Sequence, residues 1–346
     1  MTSEKKDIRA LSKEELRTFF ESSGDKAFRG NQVYEWLWSK GAHHFEDMTN
    51  ISKETRAQLD ENFVINHIEV ESIQRSNDGT IKNAVKLHDG LIVESVLIPT
   101  SKRTTACVSS QVGCSLDCKF CATARLKRMR NLNPDEIYDQ VVMIDRESRL
   151  YHKRPLSNIV FMGMGEPLMN YKNVIKSIEM ITSNEGLGMS SKRITLSTSG
   201  VPKMIKKMAD DEVKFNLAVS LHSAIQETRE QIMPFAKSFT LNDLQESLEY
   251  WYEKTNRKIT FEYIVWDGIN DQQEDIDALV RFAQCIPCKV NLIEYNPIDD
   301  GEFQQAPNDA LDNYIDTLER NRIPVTVRRS RGKDIDAACG QLANKR

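Results

Sequence analysis

The chain has 346 residues, of which 40% are hydrophobic, and a formal net charge of -4. This length allows one large domain with a smaller appendage, and the hydrophobic content excludes a disordered chain. The N-terminus lacks the apolar core of a signal peptide, and no segment approaches about eighteen uninterrupted apolar residues, so we predict a cytoplasmic protein without a membrane partner. An acidic balance is unusual for a nucleic-acid binder. Cations nevertheless cluster at Arg125–Arg130 and at Arg328–Lys333.

Residues 1–65 are predicted to form a small helical accessory domain. The segments Lys13–Phe20 and Lys53–Leu59 each follow a serine that can cap a helix, and Asn31–Ser39 places its apolar residues on one face. Two roles remain open for this domain, RNA binding and a purely structural one.

Residues 66–103 are predicted to form a short antiparallel extension that links this domain to the core. The runs His67–Ile73, Ile81–Lys86 and Leu91–Ile98 are strand-like, and an Asp-Gly turn separates each run from the next.

Residues 104–346 alternate between strand-like and helical segments, which predicts an α/β core with a parallel sheet. About six such units are too few for a closed eight-fold barrel and favour an open, partial one, with its chemistry at the C-terminal ends of the strands. The predicted strands are Thr105–Ser109, Asn158–Met162, Arg193–Ser197, Lys214–Leu221, Lys258–Val265, Lys289–Tyr295 and Pro324–Arg328.

Three cysteines follow the first predicted core strand with the spacing C-x3-C-x2-C, at Cys114, Cys118 and Cys121. Three thiolates from one loop can hold three corners of a 4Fe–4S cluster and leave one iron open for a ligand. A structural zinc site is the alternative, but zinc normally takes a fourth protein ligand and paired knuckles. Cys285 and Cys288 form a separate CxxC pair among apolar neighbours, for which packing is a better interpretation than metal or redox work.

At the cysteine motif the chain resembles the radical-SAM superfamily. The resemblance implies a partial (β/α)6 barrel in which the open iron binds S-adenosylmethionine (SAM). The segment Gly163-Met-Gly165-Glu166-Pro167 fits the superfamily's glycine-rich SAM site, because glycines permit close backbone approach and a carboxylate can pair with the ligand's ammonium group. Gly165 and Glu166 are therefore expected to contact SAM.

Over nearly its whole length the chain is similar to the RlmN/Cfr family of adenine methyltransferases. The resemblance implies that Ser197, the run Ser220, Leu221 and His222, and Asn296 bind SAM, and that Glu94 is the proton acceptor near the target base. The matching segments are Thr104–Cys114, Phe161–Pro167, Leu196–Gly200, Ser220–His222, Tyr295–Pro297 and Asp334–Leu342.

Two further cysteines, Cys107 and Cys339, gain a role from the same resemblance. A lone cysteine is usually a small buried hydrophobe. The four cations that precede Cys339 would, however, lower its pKa and favour the nucleophilic thiolate. In the family, the residue at Cys339 first receives the methyl group and the residue at Cys107 resolves the covalent intermediate. Two SAM molecules per turnover and a transient disulfide follow from that scheme.

The family resemblance predicts methylation of carbon 2 of an adenine in 23S rRNA and of the base 3′ of the anticodon in tRNA. It implies a protein electron donor, such as flavodoxin or ferredoxin. A family member that methylates carbon 8 of the rRNA adenine is the nearest rival, since it shares the cluster and both accessory cysteines. A rival of another class is a non-enzymatic, metal-containing RNA-binding protein, which would need neither Glu166 nor Cys107 nor Cys339.

Overall fold

The computed structural model describes residues 5–298 and 302–344. Its helices in chain order are α1 Lys13–Ser22, α2 Phe28–Glu35, α3 Lys53–Asn62, α4 Pro134–His152, α5 Tyr171–Thr182, α6 Pro202–Asp210, α7 Gln226–Ile232, α8 Leu241–Thr255, α9 Gln273–Gln284 and α10 Asn308–Arg320. Its strands are β1 Lys6–Asp7, β2 Phe63–Val64, β3 Glu69–Arg75, β4 Ile81–Lys86, β5 Ile92–Pro99, β6 Thr104–Cys107, β7 Gln111–Val112, β8 Arg130–Asn131, β9 Asn158–Phe161, β10 Ile194–Thr198, β11 Asn216–Ser220, β12 Ile259–Ile264, β13 Cys288–Ile293 and β14 Val325–Arg328.

The N-terminal domain is helical, as predicted. Ser12 forms a capping box with Glu15 at the start of α1, and the Ser52 hydroxyl caps α3, so local sequence fixes where both helices begin. The buried Arg9 guanidinium makes two hydrogen bonds of 2.7 Å to the Asp139 carboxylate on α4. That ion pair ties the domain to the first core helix.

The core is an open α/β sheet, which confirms the predicted fold class. All seven predicted core strands are present, and their ends agree with the prediction within two residues. They pair in parallel in the order β6, β9, β10, β11, β12, β13, β14, and a helix covers each crossover. Most residues of β10, β11 and β12, in the middle of the core sheet, are buried, because helices cover one face and the other face lines the interior.

The antiparallel extension continues this sheet rather than standing apart from it. Strands β3, β4 and β5 pair in antiparallel fashion, and β5 pairs with β6, so that the described chain forms one ten-stranded sheet with β14 and β3 at its edges. The extension therefore lies beside the first core strand, which carries Cys107. Within residues 5–298 and 302–344, every helix is too short or too polar to span a bilayer.

Candidate active site

The chain between β6 and β8, residues 108–129, carries the three motif cysteines and is called the cluster loop below. It closes one end of the barrel. The Cys114 N–H donates to the Leu126 carbonyl at 3.4 Å, and the Cys121 N–H donates to the Cys118 carbonyl at 3.2 Å. These backbone bonds turn the loop so that all three thiols line one cavity. The ends of several core strands line the same cavity, as is typical of a ligand site in this class of fold.

The electrostatics of the three thiols fit a cationic cluster. Burial raises the pKa of Cys114 to about 11, with smaller raising effects from Cys121 and Glu166. Burial also raises the pKa of Cys118 well above its usual value, and the Cys121 and Cys114 sulfurs raise it further. Three thiolates gathered here thus need positive charge among them, which bound iron provides.

The choice between a cluster and a structural zinc site depends on the number of ligands. A structural zinc ion normally takes four protein ligands. The C-x3-C-x2-C loop brings three thiols to one cavity, which is the number that a 4Fe–4S cluster with one open iron takes.

The glycine-rich turn after β9 packs against the cluster loop as closely as backbone permits. Gly165 has φ +95°, and a Cβ there would lie 2.5 Å from the Gln111 side chain. A Cβ on Gly163 would lie 2.7 Å from the Ser109 hydroxyl. Only glycine fits both positions, and both glycines line the cavity.

Glu166 is buried at the cavity wall, where the sequence predicts it. Its carboxylate accepts hydrogen bonds from the Ser199 N–H at 2.8 Å and from the Leu168 N–H at 3.0 Å. Burial raises the pKa of Glu166, and these two N–H groups oppose that rise. The backbone thus orients the carboxylate, whose remaining lone pairs can accept from a ligand ammonium.

The ends of β10 and β11 bring Ser197, Ser220 and His222 to the same cavity. His222 has φ +58°, and its Nδ1 accepts the Ile264 N–H at 3.2 Å, so its proton belongs on Nε2. Burial lowers the pKa of His222 to about 3, with a further lowering from Arg229. A neutral imidazole therefore faces the cavity, with Nε2 as a hydrogen-bond donor.

Of the two remaining predicted SAM contacts, Asn296 lines the cavity and Leu221 does not. Asn296 lines the cavity, and its buried Oδ1 has no hydrogen-bond partner within the described residues, so it is available to a ligand. Leu221 is fully buried and does not line that cavity. Its backbone N–H donates to the Glu262 carbonyl at 3.0 Å, which holds the end of β11 to β12.

Cys339 and Cys107 line a second cavity, which adjoins the first. Cys339, Cys121 and Arg328 are in the walls of both cavities. Burial raises the pKa of Cys107 to about 12, the Cys339 sulfur raises it further, and Arg328 opposes the rise. The two thiols predicted to act in sequence are thus brought together, beside the cluster loop.

Glu94 lies on β5 and lines neither cavity. Its buried Oε2 accepts the Ala343 N–H at 2.8 Å and the Asn344 N–H at 3.1 Å. Its Oε1 lies 3.4 Å from the Lys82 Nζ, and both side chains are buried. In this conformation Glu94 holds the C-terminal segment, which is not the contact expected of a proton acceptor near a bound base.

Two charged residues of the site, Arg229 and Glu262, were missed at the sequence level. Arg229 is fully buried behind Cys118, and its Nη2 donates to the Ser199 carbonyl at 2.8 Å. Glu262 is buried on β12 and lines the first cavity, 3.9 Å from the Arg328 guanidinium. A glutamate within the apolar run of a core strand was the one available signal, because burying a charge without a role is costly.

Cys285 and Cys288 lie away from both cavities that hold the other cysteines. Cys285 is exposed at the end of α9, and its thiol donates to the Arg281 carbonyl. Cys288 is buried, and its thiol donates to the Ala283 carbonyl. Their contacts are those of packing residues.

Comparison with known proteins identifies two family models in the chain. Residues 6–65 match the ribosomal RNA large subunit methyltransferase N-terminal domain, and residues 108–283 match the radical SAM superfamily. A crystal structure of a radical SAM methyltransferase from Sphaerobacter thermophilus superposes with a TM-score of 0.92 at 35% identity, covering 98% of this chain and 100% of that one.

Proteins that are similar to this chain over nearly its whole length indicate the same family. The chain is 75% identical over 345 residues to the probable dual-specificity RNA methyltransferase RlmN of Flavobacterium johnsoniae, covering 100% of this chain and 99% of that protein. It is 57% identical to the protein of the same name from Cytophaga hutchinsonii, covering 99% of this chain and 93% of that protein. The chain therefore belongs to the RlmN family of radical SAM RNA methyltransferases.

Proposed function

We propose that this protein methylates carbon 2 of an adenine in 23S rRNA and of the base 3′ of the anticodon in tRNA, through a methyl group first carried by Cys339. The observation that carries the proposal is the pair of adjoining cavities, one lined by the three cluster cysteines and the other by Cys107 and Cys339. The dual-specificity name of its relatives supports two RNA substrates.

Membership of the radical SAM superfamily implies a 4Fe–4S cluster and SAM. Cys114, Cys118 and Cys121 would hold the cluster. The SAM site would be formed by Gly165, Glu166, Ser197, Ser220, His222 and Asn296, all of which line the first cavity. When bound, these groups supply the methyl group, the electron and the radical that the reaction needs, with two SAM molecules consumed per turnover.

The residues of the second cavity carry out the remaining steps, which are transfer of the methyl group to Cys339 and release of the product by Cys107. The Cys339 sulfur accepts the methyl group, and the Arg328 guanidinium lines the same two cavities as Cys339. The adduct formed when the Cys339 methylene carbon bonds to the base must lose a proton and its unpaired electron, and the bound redox cofactor would take that electron. The Cys107 sulfur, as thiolate, then attacks the Cys339 sulfur. An S–S bond forms, the S–C bond breaks, and its electron pair and a proton complete the new methyl group. A reductant then restores both thiols.

The departing hydrogen of the base also needs an acceptor, and the family resemblance assigns that role to Glu94. The contacts of Glu94 with Ala343 and Asn344 occupy its carboxylate in the conformation described here. A proton-accepting role for Glu94 thus requires the C-terminal segment to move, whereas an anchoring role does not.

A protein electron donor such as flavodoxin or ferredoxin fits the surface next to Cys114. The backbone of Leu126 and Lys127 covers Cys114, through the 3.4 Å hydrogen bond to Leu126 and a bridge to Lys127. Lys127, Arg128 and Met129 are exposed on this loop, Met129 by 58%. Cations around an exposed thioether suit an acidic protein partner, since interfaces favour Met and Arg.

The test is a defined reaction with anaerobically reconstituted protein, SAM, a reductant, and rRNA or tRNA transcripts. We expect methylated adenosine from both RNAs, and nuclear magnetic resonance of the purified nucleoside should place the new methyl group on carbon 2. Methylation of carbon 8 would assign the chain to the rival chemistry. Failure to form 5′-deoxyadenosine from SAM would contradict the proposal altogether.

A further inference from the structure

The segment that carries Cys339 has little regular structure of its own. After β14 ends at Arg328, the described chain up to Asn344 contains one short helical turn, Lys333–Ile335, and no strand. A backbone outside helices and sheets depends on side chains from elsewhere for its position. The position of the Cys339 thiol therefore depends on the residues elsewhere in the chain that contact this segment.

One set of contacts comes from the turn between β3 and β4. The Asp78 carboxylate accepts the Gly332 N–H at 3.0 Å. In the reciprocal direction, the Asp334 carboxylate accepts the Ser76 hydroxyl at 2.5 Å and the Asn77 N–H at 3.1 Å. Turn and segment thus bind each other through carboxylates on both sides.

The backbones pack closely at this junction. Gly332 has φ +65°, and a Cβ there would lie 2.7 Å from the Ala337 Cβ and 2.9 Å from the Thr80 Cγ2. Glycine is required both by the conformation and by the space. The segment is folded against the turn rather than lying over it loosely.

A second set of contacts comes from the buried Lys82–Glu94 pair on β4 and β5. The Lys82 Nζ lies 3.4 Å from Glu94 and also donates to the Asp336 carbonyl at 3.4 Å. Glu94 accepts the backbone N–H groups of Ala343 and Asn344. A buried ion pair therefore grips the segment on both sides of Cys339.

The cluster loop holds the opposite face of the segment. The Ala122 N–H donates to the Gly340 carbonyl at 2.7 Å, and the Thr123 hydroxyl donates to the Leu342 carbonyl at 2.6 Å. Cys339 is thereby fixed between the cluster loop and the extension.

We propose that the extension is a clamp for the methyl-accepting segment, in which Asp78 and Lys82 are positioning residues for the Cys339 thiol. The inference rests on the proposed function, because it names what holds the thiol that receives the methyl group. A thiol that must meet two partners in turn, a methyl donor and then Cys107, gains most from a fixed position, since small displacements cost reaction rate steeply.

Hydrogen exchange on the reconstituted enzyme measures the clamp directly. In Asp78→Ala the Gly332 amide loses its acceptor, so peptides within residues 329–344 should exchange about tenfold faster or more. The Asp78 carboxylate accepts the Thr80 N–H through its other oxygen, so Asp78→Asn keeps one of the two acceptors and should slow exchange only partly relative to Asp78→Ala. The control is Asp89→Ala, because Asp89 occupies the other Asp-Gly turn and contacts the Leu91 N–H and the Arg130 guanidinium rather than the segment.

Methylation of Cys339, followed by intact mass, links the clamp to function. Lys82→Met should lower the methylation rate by about tenfold or more, while iron content and SAM affinity stay at the wild-type values. Lys86→Met, an exposed lysine on the same strand, is the control and should behave as wild type. If Lys82→Met fails to fold, Asp78→Ala provides the same comparison without a buried charge.

The outcomes separate the clamp from the proposed function. Faster exchange confined to the segment and an unchanged melting temperature in Asp78→Ala, together with slower Cys339 methylation in Asp78→Ala and Lys82→Met, support the clamp. Wild-type exchange and methylation in both Asp78→Ala and Lys82→Met would overturn it. A wild-type enzyme that never carries a methyl group on Cys339 would instead overturn the proposed function.

Discussion

The three cluster cysteines lie on one short loop, whereas Cys107 and Cys339 come from opposite ends of the core sequence and meet only in the folded sheet. The cluster loop falls within the segment that matches the radical SAM superfamily, residues 108–283. Cys107, Glu94 and Cys339 fall outside both family models. The proposed cofactor site thus depends on a local motif, while the proposed methyl-accepting half is assembled from the extension, the first core strand and the C-terminal segment.

This difference predicts which reaction steps are lost when residues of each half are substituted. Loss of a cofactor ligand removes every later step at once. Loss of a residue in the methyl-accepting half should stop the reaction at one step and leave the earlier ones intact, because those residues take part after SAM has bound.

The largest effect is expected from replacing Cys114, Cys118 and Cys121 together with Ala. Reconstituted wild-type protein should be brown with about four irons per chain, and the triple variant should lose both the colour and the iron. Cys285→Ser is the control and should keep them. A triple variant that retains iron and cleaves SAM would place the cluster elsewhere.

Cys339→Ala should abolish methylation of the protein and of RNA while the cluster remains. The nucleophile for the first transfer is gone, but no cluster ligand has changed. Intact-protein mass spectrometry should show a methylated wild type and an unmethylated variant. A methyl group on another cysteine would refute the assignment.

A pH series tests the resolving thiol. Because burial raises the pKa of Cys107 to about 12, this group is a neutral thiol at pH 7, and its reactive thiolate fraction rises about tenfold per pH unit below that pKa. Product release should accelerate accordingly between pH 7 and 9. Below pH 9, the ordinary pKa of a thiol, the raised pKa of Cys107 leaves folding stability unchanged. Above pH 9 folding stability should fall, because the thiol loses its proton in the unfolded chain but keeps it in the folded one. A release rate independent of pH would exclude Cys107 as the attacking group.

The smallest effect is expected at the surface proposed for the electron donor. Charge reversal of Lys127 and Arg128 to Glu should raise the KM for an acidic flavodoxin several-fold and weaken its salt dependence, while activity driven by dithionite is unchanged. Lys203→Glu, on the exposed face of α6, is the matched control. A loss of RNA affinity at unchanged donor KM would assign this loop to RNA instead.

Much of the fold could be predicted from sequence because its signals are local. Serine caps fix the starts of α1 and α3, and strand periodicity predicts the core strands. The cysteine spacing predicts three thiols on one loop, and the structure brings all three to one cavity. The glycines at 163 and 165 are also explained locally, by the close approach of the cluster loop.

The remaining features depend on contacts between distant parts of the chain. Nothing near Asp78 or Lys82 in the sequence indicates that either grips the segment around Cys339. From sequence, Arg229 is expected to be an exposed cation on a short helix, but in the fold it is buried behind Cys118. The family resemblance assigned a role to Glu94, but only the structure shows that Ala343 and Asn344 occupy its carboxylate.

The central claim is that Cys107 and Cys339 act as a pair, and Cys107→Ala tests it most directly. The variant should bind the cluster, carry a methyl group on Cys339 and cleave SAM, since none of these steps uses Cys107. Release should fail, and a covalent Cys339–adenine link should accumulate as a slow band on a denaturing gel, reduced by nuclease to a nucleotide-sized mass on Cys339. If Cys107 only packs, its truncation should cost about 1 kcal/mol of stability, with normal turnover and no trapped RNA. That second result would contradict the account.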